Sequence, residues 1–94
     1  MIVWSPEARR DLLDILDYIS ADDPAAAMRV LDTIEKAVSA LSVHPRRGRP
    51  GRRKGTRELV LPDLPYFVPY RLHGTDIEIA RILHTARRWP DAGS

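Results

Sequence analysis

With 94 residues, 44% of them hydrophobic, the chain is long enough for one core and too apolar for wholesale disorder. It has no cysteine, which excludes disulfides and thiolate metal sites. The formal net charge of +2 conceals a division: residues 1–43 hold eight acids and four bases, and residues 44–94 hold five acids and eleven bases. A half so basic suits phosphate or an acidic protein surface. No apolar run approaches the ~20 residues of a membrane span, and the first residues lack the charged-then-apolar pattern of a secretory leader. A cytoplasmic protein without membrane contact is expected.

The opening "MIVW" is apolar and short, consistent with one strand. Ser5, Pro6 and Glu7 then form a helix-opening signal: a side chain that caps free N–H groups, a proline suited to the first turn, and an acid at the positive end. Ala8, Leu12, Ile15, Leu16 and Ile19 draw one apolar stripe, with Asp11, Asp14 and Asp17 largely off it. These aspartates suit a solvated face better than a metal site. Asp23 and Pro24 repeat the opening signal, and Ala27, Val30, Leu31, Ile34, Val38 and Leu41 form a second stripe that Pro45 must end. The short link around Ala21 implies an antiparallel helical hairpin.

Residues 46–54 place six bases in nine positions, with no acid among them. The hydrophobic period then changes to two. Thr56–Leu61, Tyr66–Leu72 and Asp76–Leu83 read as three strands, joined through Pro62–Pro65 and through His73, Gly74 and Thr75. Pro69 interrupts the middle strand, where it cannot donate to the ladder, and so implies a bulge or an N–H position turned to an edge. Residues 90–94 read as a frayed tail. The expectation is one α+β domain over residues 1–94, with an antiparallel sheet (a short N-terminal strand plus a three-stranded C-terminal meander) packed against an N-terminal helical hairpin. The second sheet face would be open, rimmed by the basic loop.

Three stretches together, "WSPEARRDLLDILDYI", "HPRRGRPGRRKGTRELV" and "PYFVPYRL…DIEIARILHTARRW", resemble the RelE/ParE toxins of type II toxin–antitoxin systems. The resemblance spans about Ile2 to Trp89. It implies a growth-arresting toxin neutralised by a cognate antitoxin. ParE-like members poison DNA gyrase without established catalytic residues, whereas RelE-like members cut mRNA on the ribosome without a metal. The expected partners are therefore an antitoxin and either DNA gyrase or the ribosome and mRNA, with no cofactor and no metal. Whether the chain is an enzyme depends on which branch it follows.

For RNA cleavage, Arg57 and Arg81 would clamp the phosphate, His84 would move the proton, and Glu58 is a weaker candidate base. Arg46, Arg47, Arg49, Arg52, Arg53 and Lys54 would hold the nucleic acid or another target. Plainer roles stand beside these. Arg81 could pair with Glu78 or another acid on a strand face shared with Ile77, Ile79 and Leu83, His84 could be satisfied by backbone, and Trp4 and Trp89 could pack in the core or against an antitoxin. In a regular strand Arg81 and His84 point to opposite faces, as do Arg57 and Glu58. The last segment, "TARRW", lacks the tyrosine that several ribonuclease members use. Gyrase poisoning needs only a stable scaffold with a basic surface, and is the favoured expectation.

Overall fold

Both helix-opening signals act as written. In the computed structural model, which describes residues 1–86, the Ser5 hydroxyl accepts from the Ala8 N–H at 3.0 Å and opens α1 (Pro6–Ser20). Asp23 does the same for Ala26 at 3.1 Å, opening α2 (Pro24–Ser39), which tightens into a 3-10 turn over Ala40–Ser42 before Pro45. Trp89 and the tail at residues 90–94 lie outside the described residues. The strands are β1 (Ile2–Trp4), β2 (Arg49–Pro50), β3 (Arg57–Val60), β4 (Tyr66–His73), β5 (Asp76–Ile79) and β6 (Leu83–His84).

They form one sheet in the order β1-β5-β4-β3-β2, with β6 also pairing with β4. The meander β3-β4-β5 is antiparallel throughout, and a two-residue turn with Gly74 at φ 61° closes its second hairpin. The sheet is mixed, however, because β1 lies parallel to β5, with Ile2 opposite Ile77 and Trp4 opposite Ile79. A crossover through the helical hairpin permits parallel pairing, and the alternation within β1 carried no information about direction. The arginine-rich loop also contributes a short strand of its own, β2, where Arg49 faces Glu58 and Pro50 faces Arg57.

Pro69 explains an irregularity in the last strand. Tyr70 faces Ile79 while Phe67 faces Leu83, so a step of three along β4 meets a step of four on its partner. One extra residue lies between Ile79 and Leu83, a β-bulge. The N–H that Pro69 lacks would have pointed to this side, the side on which its carbonyl accepts from the Ala80 N–H at 2.9 Å. The bulge implied by Pro69 thus sits on the neighbouring strand and not in β4 itself. It also flips the parity of the residues beyond it. Leu83 leaves the face shared by Ile77 and Ile79 and packs with Phe67 on the other side of the sheet.

The main core lies between helices and sheet. Ala8, Ile34, Val38 and Leu41 meet Leu59, Val68, Tyr70, Ile77, Ile79 and Ile82, all buried. The second stripe is the deeper of the two. In α1 only Ala8 is fully buried, with Leu12 and Ile15 half-buried, and Leu13 and Tyr18 face outward. Trp4 also packs, half-buried, against this core. Among the described residues, no helix is long and apolar enough to cross a membrane.

Candidate functional site

Tyr70 fixes the start of the arginine-rich loop. Its side chain is completely buried on the helix side of β4, and its hydroxyl donates to the Pro45 carbonyl at 2.7 Å while accepting from the Gly48 N–H at 2.9 Å. Gly48 is needed for this approach, since a Cβ there would lie 2.7 Å from the tyrosine ring and hydroxyl. The end of the loop is held by a turn in which the Gly51 N–H donates to the Thr56 carbonyl at 2.8 Å, with Gly55 at φ 81°.

Between these anchors the loop does not merely rim the second sheet face. It folds onto it. Glu58, 1% exposed on that face, accepts from the Arg52 backbone N–H at 3.1 Å and from Arg49 Nη2 at 3.4 Å, and Arg52 Nε lies 3.7 Å away. The Arg52 guanidinium also sits 5.6 Å from the ring centroid of Phe67, itself 1% exposed. A buried carboxylate is tolerated here because cations and an amide satisfy it. Further along the same face, Glu78 pairs with Arg71 at 3.4 Å and approaches His73 at 3.6 Å. Arg46, Arg47, Arg53 and Lys54 are exposed, and their side chains make no ion pair among the described residues.

The residues suited to RNA chemistry take other positions. Arg57 stands opposite the helix-facing Tyr70, so its side chain leaves on the helix side, half-buried, with Nε shielded and without a hydrogen-bond partner. Glu58, its neighbour, faces the other way, as strand alternation requires. Arg81 lies in the bulge and reaches α1, where Nε and Nη2 bind the two oxygens of Asp11 at 2.7 and 3.1 Å. The Ile82 N–H donates to the same carboxylate at 2.9 Å. The plainer role of Arg81, pairing with an acid, is therefore realised through Asp11 and not Glu78. His84 faces Tyr66 in the β6–β4 pair, with the rings edge-on at 5.7 Å, and its Nδ1 accepts from the Ala86 N–H at 3.1 Å.

The bulge thus brings Arg81 and His84 to the same side of the sheet, but turns one onto α1 and the other onto Tyr66. Arg57 and His84 flank β4 four residues apart along the strand, about 16 Å from each other by strand geometry. Arg57 and His84 are thus well separated at the backbone, and Arg81 is engaged by Asp11. Among the described residues, no group of three or more His, Asp or Glu could hold a metal ion.

The sequence reading overlooked Asp11, assigned to a solvated face. Its spacing from Ala8 and Leu12 places it on the flank of the buried stripe, which was the available signal. Tyr70 was also missed as a loop anchor, because its partners lie 22 and 25 positions away.

Residues 2–89 match the profile of the ParE toxin of the type II toxin–antitoxin system parDE. The chain belongs to the ParE toxin family. Among curated relatives, Y4kP of Sinorhizobium fredii, a provisionally assigned toxin, is 51% identical over 89 residues, covering 95% of this chain and 92% of that protein. Toxin RelE2 of Caulobacter vibrioides is 35% identical over 86 residues, covering 92% of this chain and 96% of the relative. Among solved structures, a chain of the chromosomal ParDE system from P. aeruginosa superposes on this ParE-family chain with a TM-score of 0.78 at 31% identity, covering 88% of this chain and 92% of that one. A chain of the RelBE2 toxin–antitoxin complex from Mycobacterium tuberculosis gives 0.57 at 29% identity, covering 89% and 95%. The α+β fold expected from the sequence, a helical hairpin packed on a sheet, is the fold observed, with the difference that β1 joins the otherwise antiparallel sheet in parallel.

Proposed function

We propose that this type II toxin arrests growth by poisoning DNA gyrase in the cytoplasm, and that a cognate antitoxin neutralises it. The observation that carries this reading is the engagement of Arg81 by Asp11 and of His84 by Tyr66, with Arg57 and His84 separated along β4. RNA cleavage needs proton-transfer and phosphate-stabilising groups around one reacting atom, and here Arg81 is committed to Asp11 while His84 faces Tyr66. Gyrase poisoning asks only for a rigid basic surface, such as the loop anchored by Tyr70 presents. The closer superposition on the ParDE chain than on the RelBE2 chain supports the same branch. Both solved relatives come from toxin–antitoxin systems, which supports an antitoxin partner. On this reading the toxin is not an enzyme.

RelE-like cleavage of mRNA on the ribosome is the second reading, favoured by the names of the Caulobacter relatives, Toxin RelE2 and Toxin RelE1, at 35% and 33% identity. Purified toxin would be tested for inhibition of gyrase supercoiling and for trapped cleaved DNA, beside mRNA cleavage on programmed ribosomes. Trapped DNA with intact mRNA is expected, unchanged in His84→Ala. Cut mRNA with unaffected gyrase, abolished by His84→Ala or Arg57→Lys, would replace gyrase with the ribosome.

A further inference from the structure

The six bases of residues 46–54 look equivalent in the sequence, but the fold divides them. Arg49 and Arg52 are 58% and 50% exposed, so each could be reached by a phosphate, yet both lean on Glu58, whose side chain is 1% exposed. The Arg52 backbone N–H is committed to the same carboxylate, and the Arg52 guanidinium rests over Phe67. Turning either arginine outward would leave a buried negative charge short of a partner, a heavier loss than an exposed ion pair returns. The carboxylate also offsets one of the two positive charges that a phosphate approaching this part of the sheet face would meet. Arg46, Arg47, Arg53 and Lys54 carry no such obligation among the described residues.

We propose that Glu58 is a built-in counter-anion that holds Arg49 and Arg52 on the sheet, so that the loop meets a nucleic-acid backbone through Arg46, Arg47, Arg53 and Lys54 alone. The division stands whether or not gyrase is the target, because it arises from the loop's own contacts. The sheet face, although flanked by arginines, is closed to phosphate, and the outer rim of the loop is the nucleic-acid surface.

Counterion release makes the division measurable. The logarithm of affinity for duplex DNA falls with the logarithm of salt concentration at about 0.9 per phosphate contact. Purified toxin would be titrated onto a fluorescein-labelled mixed-sequence duplex between 50 and 200 mM salt (roughly the range in which such slopes are resolved). Four contacts limit the wild-type slope to about 3.6. Arg53→Ala should lower it by about 0.9, whereas Arg49→Ala should leave it unchanged. Glu58→Gln releases both arginines and should raise the slope by up to about 1.8, with tighter binding throughout. If Glu58→Gln does not fold, as judged by circular dichroism, the comparison of Arg49→Ala with Arg53→Ala decides alone. Equal losses in those two variants, a folded Glu58→Gln with the wild-type slope, or no detectable binding by the wild type at the lowest salt would each overturn the proposal.

Discussion

Replacing Tyr70 by phenylalanine tests how the loop is held, because it removes one oxygen and keeps the packed ring. Two groups lose their partner. The Gly48 N–H is buried, so stranding it costs about 1–3 kcal/mol. The Pro45 carbonyl belongs to an exposed residue and can turn to water, which limits that loss to about 1 kcal/mol. The sum is about 2–4 kcal/mol. For a domain of this length, with about 4–8 °C lost per kcal/mol, the melting temperature should fall by about 10–30 °C. Urea unfolding gives the free energy, and amide hydrogen exchange locates it: protection at Gly48 should drop more than protection in the β4–β5 ladder. Affinity of the loop for its target should weaken in parallel, since its exposed bases lose their fixed direction. A loss below about 0.5 kcal/mol with unchanged protection at Gly48 would refute the assignment of Tyr70 as the anchor.

The Asp11–Arg81 pair should act as a single clamp on the bulge. With side chains 15% and 27% exposed, Asp11→Ala should cost about 2–3 kcal/mol, below the range for a fully buried pair. A double-mutant cycle with Arg81→Ala should show a coupling of about 1–2 kcal/mol, and a coupling indistinguishable from zero would mean the two residues act independently. Gly48→Ala should cost about 1–3 kcal/mol in thermal or urea unfolding, because its Cβ would lie 2.7 Å from the Tyr70 ring; a neutral result would show that the loop can move away without loss.

Local features were the legible ones. Ser5 with Pro6, and Asp23 with Pro24, marked both helix starts because capping involves groups only three residues apart. Gly74 marked the hairpin turn for a similar reason, and Pro69 announced a broken ladder. What Pro69 could not announce was which strand would absorb the extra residue. The parity of everything after Ile79 depended on that choice, so Leu83 was placed on the wrong face. The candidate site was legible only as a composition. Six bases in a loop were plain, but their division between Glu58 and solvent was not.

The sequence by itself determined two capped amphipathic helices, a meander and an arginine-rich link, since each depends on spacing within a few residues. Its combined motifs also determined the toxin family. Tertiary structure alone decided the parallel docking of β1, the clamp of Asp11 on Arg81 across 70 positions, and the burial of Glu58 beneath the loop. The physical reason is common to all three. Each joins groups whose meeting depends on how completed elements pack, and a charge pattern states which groups seek partners without stating where the fold will supply them.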